Sequence, residues 1–126
     1  MIELELRNDV YRRPLATALD RLGLREGWRC ADVGAGGGDV TVALARIVGR
    51  DGRVYAIDSD PKRRDEVAKA AAEAAQAQIV ALTQSGEELL LPEPVDLAYC
   101  RFLLLLVHNP VIVLRRMRNA VRPGGW

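Results

Sequence analysis

The chain has 126 residues, 49% apolar and 28% charged, and its 18 Lys and Arg against 17 Asp and Glu leave a formal charge of +1. This length and apolar content suit one domain with a real core, and the near-neutral balance gives no global basic field for nucleic acid or an anionic membrane. The longest apolar run, Phe102 to Val107, is far short of the ~20 residues a spanning helix needs. No charged-apolar-small leader is visible either, so a cytoplasmic setting is expected.

The chain reads as a helical segment over residues 1–27 followed by βα units over 28–126. Pro14 suits a first helical position, Leu15, Leu19 and Leu22 line one face, and Gly23 closes the end. Cys30 to Val33 is the first strand. Residues 32–38 then read Asp-Val-Gly-Ala-Gly-Gly-Gly, after which Val40, Ala43, Leu44, Ile47 and Val48 recur at helical spacing, with Asp39 as N-cap and Gly49 as stop. Val54 to Ile57 is a second buried strand ending in Asp58. Asp60-Pro61 starts a helix with a cap and an N1 proline, and high helix propensity carries it to Ala77 with an Asp65 to Lys69 pair. Ile79 to Leu82 is strand three and Val95 to Cys100 strand four. From Pro110 a last helix places Val111, Leu114, Met117 and Val121 inward and Arg115, Arg116 and Arg118 outward. Such alternation implies right-handed crossovers and a parallel sheet in order 3-2-1-4. Cys30 and Cys100 lack C-x-x-C spacing and a histidine cluster, so no metal site is expected and both read as buried thiols.

The glycine-rich bend between the first strand and the next helix carries most of the chemistry. Glycine supplies positive φ there and lets a ligand approach the backbone with no Cβ in the way. A dinucleotide turn needs G-x-G-x-x-G; Gly34 and Gly36 fit its first two positions, but the third falls on Asp39 and the next glycine comes one residue early, at Gly38. Asp32, two residues before Gly34, would repel a pyrophosphate and suits a cationic amino group. The bend thus points away from NAD and towards an amino-acid-bearing nucleotide. Other readings stay open: Gly34, Gly36 and Gly38 as a tight turn only, Asp32 as a backbone cap, and Asp58 as a solvated strand end. Asp60 reads first as a helix cap, Asp96 as structural, and His108, the sole histidine, as a surface residue.

These residues resemble the class I S-adenosylmethionine-dependent methyltransferases, whose first motif is an acidic residue, an apolar residue and G-x-G-x-G. Asp58 lies where the family's ribose-binding acid falls. Ser85-Gly86-Glu87-Glu88-Leu89 is similar to the loop after the third strand, Val95 to Cys100 to the fourth strand with its leading Asp, and Val121-Arg122-Pro123-Gly124-Gly125 to the "LRPGG" turn before the fifth. The likeness runs from about Leu15 to Trp126. It implies a Rossmann-like three-layer α/β/α sandwich that lacks the family's later strands.

On this resemblance the cofactor is S-adenosylmethionine. Asp32 would help to hold its amino group, and the backbone of Gly34, Ala35 and Gly36 would run beside the methionine and ribose. Asp58 would accept the ribose hydroxyls, and Ser59 would lie beside the adenine. Ser85 stands where many members have an Asp that accepts the adenine amino group, so Gly86 and Glu87 would supply the polar contact instead. Cys100, Arg101 and Phe102 would face the sulfonium and a small-molecule acceptor. No dedicated nucleophile is required, because the cofactor carries its own activated methyl group.

Three functions follow as expectations: a small-molecule methyltransferase, a cofactor-binding half-domain without turnover, and, disfavoured by glycine spacing and Asp32, an NAD(P)-binding Rossmann domain. Strand four is expected to form an uncovered edge beside the apolar segment 102–107. That edge implies a homodimer or a strand-exchanged assembly.

Overall fold

The computed structural model describes the backbone of residues 2–126 and side chains from residue 6 onward. Helix α1 (Ile2–Leu22) leads into β1 (Arg29–Val33), α2 (Asp39–Val48), β2 (Arg53–Asp58), α3 (Pro61–Glu73), β3 (Ile79–Thr83), a 3₁₀ turn at Gly86–Glu88, β4 (Leu97–Cys100) and α4 (Pro110–Ala120). The four strands are parallel and lie in the order β3-β2-β1-β4, as the alternation of elements implies.

Register decides where the loops go. Val33 lies opposite Ile57 on one side and Cys100 on the other, and Asp58 opposite Thr83. All four strands therefore end at one edge, and the segments after them crowd together there. Successive strands step away from β1 in one direction and β4 returns on its other side, so the order reverses between β1 and β4. In open α/β sheets that reversal leaves a crevice beyond the carboxyl ends of the strands.

Both faces of the sheet are covered, so successive strand residues are apolar and serve opposite sides. Cys30 and Val54 pack with Leu19, Leu24, Leu44 and Val48 from the α1 and α2 side. Their neighbours Ala31, Val33, Tyr55 and Ile57 pack with Leu89, Val95, Val113 and Met117 from the α4 side. At the opposite end of the sheet from the crevice, Glu93 takes hydrogen bonds from the Tyr55 hydroxyl and the Arg29 guanidinium. Asp96 accepts the Arg29 N–H at 2.7 Å and an ion pair from Arg122, which makes it the structural strut expected of it.

Several local expectations are corrected. Helix α1 begins at Ile2 and carries Pro14 inside it, not at its first turn. Asp39 is the first helical residue of α2, and the cap is Gly38 at φ 92 with no side-chain bond. The Asp60 cap and N1 proline of α3 are present, with Asp60 accepting from the Lys62 N–H. That helix stops at Glu73, however, because Ala75 turns left-handed at φ 54 and the Gln76 N–H reaches back to the Ala71 carbonyl at 2.9 Å. Lys69 approaches Glu73, and Arg63 pairs with Glu66, in place of an Asp65 to Lys69 pair.

In α4, Val111 and Leu114 are 60% and 49% exposed, whereas Val113 and Met117 are buried. The phase is set by Asn109, whose side chain accepts the Ile112 N–H. With Val111, Ile112, Val113 and Leu114 all apolar, the first turn offers two rival stripes. Regular pairing of the fourth strand begins at Leu97, after an isolated bridge between Val95 and Val121. The edge of this strand is partly occupied by the chain's own last residues: Ala98 N–H donates to the Trp126 carbonyl and Trp126 N–H to the Asp96 carbonyl, each at 2.9 Å.

The left-handed Ala75 yields a prediction. Glycine there relieves ~1–2 kcal/mol of left-handed strain against ~0.4–1 kcal/mol of added unfolded-chain entropy. Ala75→Gly is expected to raise unfolding stability by roughly 0.5–1 kcal/mol, read as a higher urea midpoint at unchanged slope.

Candidate functional site

The glycine bend is stitched onto the neighbouring strand. The N–H groups of Gly34 and Ala35 both donate to the Ile57 carbonyl, at 2.7 and 2.9 Å, and the Gly36 N–H donates to the Asp58 carboxylate at 3.0 Å. The backbone N–H groups of these three residues thus serve the protein's own β2. Gly34 stands at φ 78, and a Cβ built on it would come 3.0 Å from a Leu103 methyl, so a side chain there would be strained in its backbone and would push the leucine aside. Gly38, at φ 92, caps α2 under α3, where an added Cβ would meet Val67 at 3.3 Å.

Two carboxylates flank this bend at the ends of adjacent strands. Asp32 is 3% exposed. Among the described residues its one side-chain hydrogen-bond partner is the Thr41 hydroxyl, which donates to it at 2.7 Å from the first turn of α2. Burial pushes the Asp32 carboxyl up to about 6; the Thr41 bond and the Arg101 charge pull it down, and Asp58 and Asp39 push it further up. A buried carboxylate with this little compensation is an acceptor for a cationic group. Asp58 is half-buried and held at both oxygens, by the Gly36 N–H and by the Asp60 N–H, each at 3.0 Å. An ionised carboxylate accepts about four hydrogen bonds, so Asp58 is fixed in place with capacity to spare.

The sequence-derived residues fall into two groups around Gly34. Asp32, Gly34, Ala35, Gly36, Gly38 and Arg101 line a broad cleft of about 1040 Å³ between α1, α2 and α3. Gly34, Asp58, Ser59, Ser85, Gly86 and Glu87 line a smaller cavity of about 220 Å³ on the β3 side. Glu87 also accepts the Asn109 N–H at 3.1 Å, which ties this cavity to the cap of α4. Leu103 lies against both Gly34 and Gly86, where the two groups meet. Cys100 lines neither space and packs on the core cluster of the α4 side; burial raises its thiol pKa. Cys30 is fully buried, its thiol pushed up to about 12 by burial, then by Asp96 and Asp32.

The side chains that sequence reasoning missed, Arg7, Asn8 and Tyr11, come from α1; they meet Arg101 and Phe102, which the resemblance placed at the site. Phe102 adopts φ 63, a left-handed conformation that costs about 1–3 kcal/mol in a non-glycine residue and marks constrained sites. Its ring meets Tyr11 edge-on at 5.4 Å, and the Arg101 guanidinium donates to the Asn8 amide oxygen at 3.0 Å. Arg7 and Tyr11 stand four residues apart on one helical face. That spacing was the available signal, hidden by reading Pro14 as the start of the helix. Thr41 was missed for the same kind of reason, because a threonine in an apolar helical repeat reads as core.

Two acceptor carboxylates, a desolvated one at the end of β1 and an oriented one at the end of β2, thus flank the Gly34–Ala35–Gly36 backbone. Among the described residues no helix is long and apolar enough to cross a membrane.

Comparison with known proteins agrees with this geometry. Residues 30–125 match a family model described as a methyltransferase domain. A 47-residue stretch is 43% identical to a probable cobalt-precorrin-6B C(15)-methyltransferase (decarboxylating) of Saccharolobus solfataricus, covering 37% of this chain and 24% of that protein. Over 105 residues the chain is 30% identical to the demethylmenaquinone methyltransferase of Bacillus velezensis, covering 82% of this chain and 45% of the relative. The matches therefore span less than half the length of these relatives. A crystal structure of a SAM-dependent methyltransferase from Aquifex aeolicus superposes with a TM-score of 0.76 at 25% identity, covering 86% of this chain and 58% of that one. With the family model spanning most of the chain, the bend and the two acids belong to a known kind of fold: this protein is a member of the methyltransferase domain family.

Proposed function

We propose that this domain binds S-adenosylmethionine across the crevice beyond β1 and β2 and serves methyl transfer to a small-molecule acceptor. The carrying observation is the pair of oriented carboxylates at the ends of neighbouring strands, Asp32 buried beside Thr41 and Asp58 clamped by the Gly36 and Asp60 N–H groups. When bound, the cofactor supplies a methyl group activated on a sulfonium. The chain's own residues bind and orient. Asp32 holds the amino group, Asp58 takes the ribose hydroxyls, and the cavity of Ser59, Ser85, Gly86 and Glu87 receives the adenine. Leu103, packed against Gly34 and Gly86, keeps water from the centre of the crevice. Titration with S-adenosylmethionine, S-adenosylhomocysteine and NAD tests the reading: the first two bind and NAD gives no signal, whereas binding of NAD alone would sink it.

A second reading is a cofactor-binding module without turnover. Methyl-transfer assays with candidate acceptors separate the two, and binding without turnover above background selects the module. Self-association belongs to the same proposal. It is supported by Leu105 and Leu106, 74% and 76% exposed beside the crevice, and a clean monomer by sedimentation at high micromolar concentration would remove it.

Two further predictions follow. Asp58→Ala is expected to weaken S-adenosylhomocysteine binding by roughly 1.5–3 kcal/mol, the range for lost bonds to a charged group; calorimetry giving an unchanged affinity takes Asp58 out of the site. The second concerns Asp32, whose folded-state pKa of about 6 lies above the ordinary 3.8. Its contribution to stability is fully present below the ordinary value and is lost as pH rises through about 6. Between pH 4 and 7 the ligand-free protein should thus lose up to roughly 2–3 kcal/mol relative to Asp32→Asn. Cofactor affinity should run the opposite way, since an ammonium prefers the ionised carboxylate. It is expected to fall as pH drops below about 6 in the parent and to stay level in Asp32→Asn.

A further inference from the structure

The broad cleft holds more than a cofactor tail requires. Its floor is Asp32 and the glycine bend, and its outer wall is built by α1 and the segment after β4. On that wall two guanidinium groups share one aromatic ring: Arg7 lies 5.3 Å from the Phe102 centroid and Arg101 lies 6.0 Å from it. Arg101 also stands 5.5 Å from the Tyr11 ring. A ring face attracts one cation, but two like charges gathered on it repel each other. Among the described residues neither arginine makes a salt bridge; Arg101 donates to the neutral Asn8 amide and also lies close enough to Tyr99 and Asp32 to favour their ionised forms. The other arginines bordering this cleft near α1 and α3, Arg12 and Arg63, are paired with Asp9 and Glu66.

The same cluster pays for its position in backbone strain at Phe102, which holds the ring against Tyr11 and under both guanidinium groups. Tyr11 and Phe102 remain 37% and 39% exposed. The wall thus offers two donor forks at the partly exposed Phe102 ring, with Tyr11 packed edge-on against that ring from outside the cleft lining. A guanidinium fork matches a carboxylate with two parallel bonds, and aromatic rings favour a flat apolar body. Resting on the cofactor reading above, we infer that the Arg7–Tyr11–Arg101–Phe102 cluster is the acceptor subsite, and that the acceptor is a planar organic acid whose carboxylate is taken by Arg7 and Arg101.

The rival source of a carboxylate is the cofactor's own amino-acid end, and the experiment separates the two. Benzoate and its uncharged analogue benzamide are titrated by calorimetry and NMR into the intact chain, with and without S-adenosylhomocysteine, for the parent, Arg7→Gln, Arg101→Gln and Arg101→Lys. S-adenosylhomocysteine and 5′-methylthioadenosine, which lacks the amino-acid end, are titrated in parallel. The expected result is saturable benzoate binding in the parent, at least about tenfold weaker in Arg7→Gln and Arg101→Gln, with benzamide binding weakly throughout and unaffected by either change. Arg101→Lys should retain part of the benzoate affinity, and S-adenosylhomocysteine affinity should stay within about twofold of the parent in Arg7→Gln. Arg7 is exposed on a helix surface, so Arg7→Gln is read even if an Arg101 variant fails to fold.

Benzoate that does not bind in either state, or binds equally to parent and Arg7→Gln, overturns the inference. So does a loss of S-adenosylhomocysteine affinity in Arg7→Gln with 5′-methylthioadenosine unchanged, which would give this arginine to the cofactor. Failure of the parent to bind S-adenosylhomocysteine is a separate result that sinks the cofactor reading, while arginine-dependent benzoate binding is still scored on its own.

Discussion

The joint between the first two strands governs the rest of this structure. Three successive N–H groups of the glycine bend are spent on the end of β2, two on the Ile57 carbonyl and one on the Asp58 carboxylate. A bend that would otherwise be a mobile loop becomes an extension of the sheet edge, and the acid that closes β2 is oriented by the same bond. Asp32 gains from this indirectly, since the bend delivers α2 with Thr41 in reach of its carboxylate. Loss of the joint would free both acids at once, which is why their chemistry and the fold cannot be discussed apart.

Packing on either side of the sheet is what keeps that joint in register. The α1 and α2 side is closed by residues such as Leu44 and Val48, the α4 side by Ile57, Val95 and Val113, all with essentially no exposure. At the far end of the sheet, Asp96 ties β1 to the chain after α4 through Arg29 and Arg122. The crevice end is thus left to carry exposed, strained and charged groups, and the other end is closed by compensated polar contacts. Compensated polar contacts are thus gathered at one edge and carboxylates with spare acceptor capacity at the other.

Much of this was legible in the chain. Strand runs such as Val54 to Ile57 and the Asp60-Pro61 start leave little choice of element, and alternation of strand and helix leaves little choice of topology. Asp32, the glycines and Asp58 were visible because spacing alone brings them to one strand edge. What was hidden depended on distance in space. The Leu103 contact with Gly34 joins residues far apart in sequence, and nothing local to either announces it. The face of α4 was misread because its first turn is apolar all round, so periodicity cannot choose between Val113 and Val111. Helix α3 ended early against its own alanine propensity, because backbone bonds at Gln76 outweighed a weak local preference.

Leu103 sits in a slot made by two residues without side chains, Gly34 after the first strand and Gly86 after the third, with Val113 of α4 closing on Gly86 as well. Three loops that never meet in the sequence therefore share one void, matched in shape to one leucine. Such positions do not vary independently: a Cβ at Gly34 would push on a Leu103 methyl at 3.0 Å, one at Gly86 would crowd Val113 at 3.2 Å, and trimming the leucine would leave a gap between them. Inherited variation at these sites should accordingly travel as a linked set, and an engineer who alters one of them alone is altering all three.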